Sequence, residues 1–158
     1  MCAKPSYTRA VFRFSSVALL VVLCSSCACD DEQARNDAML FLDRFQQVDV
    51  DDPLEERRTA VDAIRALALT DPSVVAARDA CVTAHEAMIE AEDQHAIANH
   101  LFVESTGAGE HEPSAEVRAQ IDAAIDHSND AIARAPELFS RCNSAVNQLE
   151  RRFHRRHE

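Results

Sequence analysis

The 158-residue sequence is poor in the residues that interrupt helices or favour sheets. It has two glycines, at 107 and 109, no tryptophan and one tyrosine, whereas alanine is abundant. Because glycine destabilises helix interiors while β-branched and aromatic residues favour strands, this composition predicts helix throughout. The shortage of glycine also excludes phosphate-cradling loops and the glycine-flanked serine of esterase-type enzymes. With no catalytic constellation in sight, we do not expect an enzyme.

Positive charge is scarce beyond residue 26. That part of the chain contains all 27 acidic residues, thirteen arginines and no lysine, which gives a formal charge of −14. A surface of this sign repels the phosphates of nucleic acids. We therefore expect no nucleic-acid partner.

The N-terminal segment differs from the rest of the chain. Lys4, Arg9 and Arg13 give it a positive start, the apolar run 14–24 follows, and small residues and cysteines end it. This order is typical of an export signal. The apolar run is shorter than the ~20 residues that a membrane-spanning helix needs, which favours a cleaved signal over a permanent anchor. The alternative, a buried N-terminal helix, would place Arg9 and Arg13 where a core face needs apolar residues.

The small residues Ser25 and Ser26 stand directly before Cys27. This segment resembles the lipoprotein signal of bacteria, and the resemblance covers residues 1–29 only. It implies that the signal peptide, residues 1–26, is removed and that the cysteine then carries acyl chains such as palmitate. The lipid-attachment site expected from it is Cys27, with Cys29 as the second choice.

The resemblance also implies a location in the bacterial cell envelope. Two or more acyl chains hold a protein stably on a membrane, because each buried methylene contributes about 0.8 kcal/mol. In lipoproteins of this kind, an aspartate after the lipidated cysteine tends to retain the protein at the inner membrane. Attachment at Cys27 places Ala28 there, whereas Cys29 would place Asp30 there. The outer membrane is therefore favoured over the inner one, with the protein facing the periplasm or the cell surface.

The remaining sequence is long enough for one domain with one core, so we expect a tether at 27–30 and a single helical domain at 31–158. Apolar residues recurring three and four positions apart predict four helices, at about 31–48 (A), 53–69 (B), 72–103 (C) and from 114 onward (D).

Two Asp-Pro dipeptides mark predicted helix starts. Asp52 and Asp71 are expected as N-caps of helices B and C, each with a proline at the first helical position. Pro136 is expected to kink or break helix D.

Helices C and D are expected to form an antiparallel hairpin around the loop at 104–113. Cys81 and Cys142 lie about equally far from this loop, and an exported protein meets an oxidising compartment, so we expect a disulfide between them. The alternative is a pair of buried free thiols. The fold class predicted is an all-α antiparallel bundle of about four helices.

Helix B is too short to cover the whole of helix C, and reaches it only to about residue 88. We therefore expect the C/D hairpin to protrude as an arm, residues 89–135. The alternative is that helix C breaks near Glu92 and folds back.

Metal-ligating residue types concentrate on helices C and D. The candidates are His85, Glu92, His95 and His127. Glu92 and His95 are three residues apart, as in di-iron bundles, but helix D offers no matching pair. A zinc or copper site is therefore the second hypothesis, beside a solvated surface with no bound ion, and no cofactor is expected.

The C-terminal residues are basic in an otherwise acidic chain, through Arg151, Arg152, Arg155 and Arg156. Cations in a last helical turn offset the helix dipole, which is one interpretation. The other is contact with an anionic partner such as a phospholipid surface or an acidic glycan.

Taken together, these features favour a membrane-tethered envelope lipoprotein with a protein-interaction or structural role, ahead of a metal-binding periplasmic protein. The partner is not identified by the sequence, and a homo-oligomer stays open. Exposure of Ile97, Leu101 and Phe102 would favour a protein partner or a dimer.

Overall fold

A computed structural model describes residues 24–107 and 112–154, with side chains described for 31–107 and 112–153. The chain divides into two units, Met1–Glu32 and Gln33–Glu158. The helices are α1 (Cys24–Phe45), α2 (Leu54–Arg65), α3 (Pro72–Thr106) and α4 (Ala115–His154). No strand occurs among the described residues. The prediction of an all-α helical bundle is therefore confirmed.

The start of α3 follows the predicted capping pattern. The side chain of Asp71 accepts hydrogen bonds from the backbone N–H groups of Ser73, at 2.9 Å, and Val74, at 3.2 Å, and Pro72 is the first helical residue. A hydrogen bond from the Ser73 side chain is the main cause that lowers the pKa of Asp71. The carboxylate is thus held in its charged form, which also suits the positive end of the helix dipole.

The prediction that an aspartate caps the helix is wrong for α2. Pro53 itself takes the N-cap position, with an extended backbone (φ −51°, ψ 142°), and no side chain caps the helix. The helix therefore begins at Leu54, one residue later than expected, and the Asp52 side chain forms no capping hydrogen bond. The backbone carbonyl of Asp52 instead accepts a hydrogen bond from Nε of Arg57, at 3.0 Å.

Three other helix ends also differ from the bounds predicted from the spacing of apolar residues. The first helix begins at Cys24 and so includes the segment 27–30 that was expected to be a tether. The second ends at Arg65 instead of near Leu69, because tertiary contacts hold the following segment, where the carbonyl of Leu67 accepts from Arg78 at 3.0 Å. The third continues to Thr106 and ends at Gly107, whose left-handed backbone (φ 52°, ψ 48°) favours glycine.

Asp37 connects α1 to the segment that joins α2 and α3. It is buried, and one carboxylate oxygen accepts hydrogen bonds from the backbone N–H groups of Thr70 and Asp71 and from the Thr70 hydroxyl. Burial acts to raise the pKa of Asp37, but these bonds and one from Gln33 outweigh it and lower the pKa. A buried charge stabilised in this way fixes the position of the connecting segment on α1.

The core lies where the apolar face of α1 meets α2, the first half of α3 and the last third of α4. Its largest fully buried side chains are Phe41, Ile64, Val74, Cys81 and Cys142. All five belong to the pattern of apolar residues three and four positions apart from which the helices are predicted.

The two long helices pair in antiparallel fashion. A disulfide joins Cys81 to Cys142, as predicted, and the hydroxyl of Ser128 donates to the carbonyl of Ala91 at 2.9 Å. The third helix is continuous, so the alternative in which it breaks near Glu92 and folds back is wrong. Ion pairs of α2 with Glu92 and Asp93 of α3 extend beyond the expected limit at residue 88. Protrusion of residues 89–135 as an arm stays a prediction.

Pro136 does not break α4, which runs continuously from Ala115 to His154. The proline removes one backbone N–H and with it one helical hydrogen bond. Residues on both sides of it, Ala135 and Cys142, are buried, so packing holds the helix together through the interruption.

We predict that removing the disulfide in the double variant Cys81→Ala, Cys142→Ala lowers the free energy of unfolding by roughly 4 kcal/mol, because the bridge closes a loop of 61 residues. Denaturant unfolding, compared between the variant and the wild type with and without reductant, measures this. The reduced wild type should unfold at about the denaturant concentration of the variant. Equal midpoints for the oxidised wild type and the variant would contradict the prediction.

Candidate interaction site

The interface between α3 and α4 consists mainly of small side chains, and we call it the seam. Its buried members are Ala87, Ala91 and Ala98 of α3 and Ala124, Ser128, Ala131 and Ala135 of α4. Small side chains allow two helices to approach closely, since the distance between helix axes depends on the side chains at the contact. The seam therefore brings the backbones together but leaves little room for larger side chains between them.

Large apolar side chains lie beside the seam and remain in contact with solvent. The exposed fractions are 46% for Ile97, 51% for Phe102, 53% for Val103, 43% for Ile125 and 52% for Ile132. Leu101 is partly buried. Exposure of apolar residues here, Ile97 and Phe102 among them, was expected to favour a protein partner or a dimer, and both side chains are exposed.

Ile125 and Ile132 belong to the apolar pattern from which helix D is predicted, yet both side chains are exposed. Each directly follows a small residue of the seam, Ala124 and Ala131 respectively. Successive residues are about 100° apart around a helix. Because the alanines face α3 across the seam, the isoleucine after each of them points to one side of the contact.

A groove of about 460 Å³ lies beside the seam, on the side of Ile132. Its lining is mainly apolar and comes from three helices, with Leu54 of α2, Met88, Ala91 and Ala96 of α3, and Ser128 and Ile132 of α4. Ala91 and Ser128 belong to the seam, so the floor of the groove is formed by small side chains. We call this feature the hairpin groove.

Glu92 and His95 are the polar side chains of the hairpin groove. Glu92 forms an ion pair with Arg57, which is buried and also donates to the carbonyl of Asp52. The charge of Glu92 is therefore neutralised by a neighbour from α2. Because Arg57 is in the first turn of α2, this ion pair also holds the N-terminal end of α2, with Leu54, beside the groove.

The metal-ligand candidates are not brought together. His127 lines a different groove, with Glu90, Asp130 and Arg134, whereas Glu92 and His95 line the hairpin groove. Among the side chains described, no group of three or more histidine, cysteine, aspartate or glutamate residues is arranged to hold an ion.

His85 belongs to the core instead. Its ring makes edge-on contacts with Phe45, at 5.9 Å between ring centroids, and Phe139, at 5.1 Å. Burial is the main cause that lowers the pKa of His85, and the positive charge of Arg57 adds to it. Both causes disfavour the protonated ring, so His85 packs as a neutral side chain joining α1, α3 and α4.

The basic C-terminus makes a contact within the chain. Arg152 donates to the hydroxyl of Ser73 at 2.8 Å, lies 3.5 Å from the carboxylate of Asp71 and stacks over Phe153 at 4.8 Å. It thus ties the end of α4 to the start of α3. Arg151 is exposed, while Arg155 and Arg156 lie outside the described residues.

The predicted lipid-attachment residues Cys27 and Cys29 lie in the first turns of α1, and their side chains are outside the described part. The predicted signal peptide, residues 1–26, also lies outside the described residues except for the helical backbone of 24–26. Within the described residues, no helix has the length and apolar character needed to cross a membrane.

No family model, curated protein or solved structure matches this chain.

The sequence did not single out the hairpin groove. Leu54 and Met88 belong to the apolar pattern from which helices B and C are predicted, whereas Ser128 is polar and lies outside such a pattern. A usable signal exists in the alanines of each helix, which stand seven positions apart at 91 and 98 of α3 and at 124 and 131 of α4. Such a repeat predicts a close helix pair whose large side chains flank the contact.

We predict that His85 makes the protein less stable as the pH falls below about 6.5, the ordinary pKa of histidine. The folded-state pKa is lowered, so the unfolded state binds the proton more readily, and the free energy of unfolding decreases from that pH down to the folded-state pKa. The variant His85→Leu should remove this part of the pH dependence. Denaturant unfolding between pH 5 and 7.5 measures it, with the exposed His100→Leu as the control. Identical slopes for wild type and His85→Leu would refute the assignment.

Proposed function

We propose that this chain is a lipid-anchored protein of the bacterial envelope whose helical unit binds a protein partner at the hairpin of α3 and α4. The observation that carries the proposal is a set of apolar side chains on the groove side of the hairpin that are each more than 40% exposed, namely Phe102, Ile125 and Ile132. Exposed apolar surface of this kind is typical of sites that another macromolecule covers.

The arrangement of the charged side chains supports a binding or structural role over a catalytic one. Arg57 and Arg58 of α2 pair with Glu92 and Asp93 of α3, and Arg134 of α4 pairs with Glu90. These side chains fix helices against one another. His85, a buried titratable group, contacts two aromatic rings and serves packing.

The anchor rests on the N-terminal sequence, whose positive start, apolar run and small residues before Cys27 resemble a lipoprotein signal. An acyl anchor would hold the helical unit at the membrane, where a partner in the same envelope layer meets it at a raised effective concentration. The metal-binding alternative has no comparable observation in its favour and is not proposed.

We predict that the full chain, expressed in a Gram-negative bacterium, incorporates an alkyne analogue of palmitate and fractionates with membranes. The variant Cys27→Ser should lose both properties, and Cys29→Ser should keep them, because the residues before Cys27 fit the signal better. Loss in Cys29→Ser alone would move the attachment site to Cys29. An unlabelled protein in the soluble periplasmic fraction would reject the anchor.

We also predict that a photo-crosslinking benzoylphenylalanine at position 132 yields a discrete crosslinked species in cells, because Ile132 lies at the proposed binding surface. The matched control is position 130, an exposed aspartate on the same helix that lines another groove. Crosslinks that are absent at 132, or equally strong at 130, would count against a partner at this hairpin.

A further inference from the structure

We infer that the hairpin groove takes a basic amphipathic helix of about four turns as its occupant. The inference rests on the proposed function and adds the chemistry of the partner. It follows from the length of the groove, the nature of its walls and the charge around it.

The length of the groove follows from helix periodicity. Phe102 is seven residues beyond His95, and Ile125 is seven residues before Ile132, so each lies two turns along the same side of its helix. Both are about half exposed. Apolar side chains therefore stand at both ends of the groove side of α3, at Met88 and Phe102, and this stretch at 1.5 Å per residue is about 21 Å long. A helix of about fourteen residues spans that distance.

The walls favour a helix over an extended segment. They are two antiparallel helices whose backbone groups are satisfied internally, so they offer no sheet edge to which a strand could be added. The floor consists of Ala91 and Ser128, which lets a third helix approach closely, and Met88 supplies an adaptable side chain. An amphipathic helix lying in an apolar groove is an established mode of recognition.

The charge around the groove favours a basic partner. Residues 90–135 contain ten acidic side chains and two arginines. Glu90, Glu92 and Asp93 are paired with arginines, but no ion pair within the described residues involves Glu116, Asp122 or Asp126. Asp122 and Asp126 lie three residues before and one residue after Ile125, on the outer side of the groove. Arginine or lysine on the polar face of a docked helix would meet these carboxylates.

The same charge disfavours a second copy of this chain as the occupant. Two such hairpins would bring acidic surfaces together, and like charges across an interface oppose association. The negative potential of these carboxylates attracts a basic helix, whereas it repels a second copy of this acidic chain.

The test uses the purified full chain in non-ionic detergent and a fluorescent fourteen-residue peptide with leucines at helical spacing and arginines on the other face. A second peptide carries glutamates in place of the arginines. Fluorescence anisotropy gives the Kd of each. We expect binding of the basic peptide only, with an affinity that falls as salt is raised.

The matched variants are Ile132→Asp and Ile97→Asp. Both isoleucines are about half exposed on the same hairpin, but only Ile132 lines the groove, since Ile97 lies two residues beyond His95 and therefore on the far side of α3. Substitution of exposed side chains leaves the fold intact, which circular dichroism checks. We expect Ile132→Asp to weaken binding about tenfold or more and Ile97→Asp to leave it unchanged.

Three results would overturn the inference. They are no binding of the basic peptide, equal binding of the acidic peptide, and equal weakening by both variants. Dimerisation of the chain that Ile132→Asp abolishes and Ile97→Asp does not would assign the groove to a second copy instead. Crosslinking in cells at position 132 without peptide binding would reject only this inference. Peptide binding without crosslinking in cells would reject the proposed function and leave the chemistry of the groove standing.

Discussion

Close packing of α3 against α4 through alanine and serine is the constraint on which the rest of this structure depends. The Cys81–Cys142 disulfide and the bond from Ser128 to Ala91 fix the register of the two helices. Because the contact is filled by small side chains, the larger ones are turned aside. Near the core they take part in contacts that reach α1, since Phe139 packs on His85 and His85 also contacts Phe45 of α1. Further along, Ile125 and Ile132 remain exposed.

The shorter helices are attached to this pair by buried polar contacts as well as by apolar packing. Asp37 of α1 accepts hydrogen bonds from Thr70 and Asp71, and Arg57 of α2 binds Glu92 and the carbonyl of Asp52. Such contacts are directional, since a buried charge without its partners would be costly. They determine where the segment between α2 and α3 lies, and they place Leu54 beside the groove.

Electrostatics and hydrophobic exposure act together at the proposed binding surface. An apolar groove alone does not distinguish between a second copy and a different protein. The acidic side chains around it do, because they penalise a like-charged neighbour and favour a basic one. The arginines of the helical unit are partly engaged internally, as Arg57, Arg58 and Arg134 show, so the exposed surface of the hairpin stays negative.

The sequence alone determined the all-α class, the four helices, the Asp71–Pro72 start of α3 and the pairing of Cys81 with Cys142. These features follow from local propensity, capping chemistry and distance along the chain. Tertiary structure decided the rest. Pro53 replaced Asp52 as the N-cap, packing on both sides carried α4 through Pro136, and His85 became a core residue apart from Glu92 and His95. Ile125 and Ile132 fit the apolar spacing of a helix, but this spacing could not show that they lie outside the seam. Which side chains of a helix are buried depends on how closely the neighbouring helix approaches.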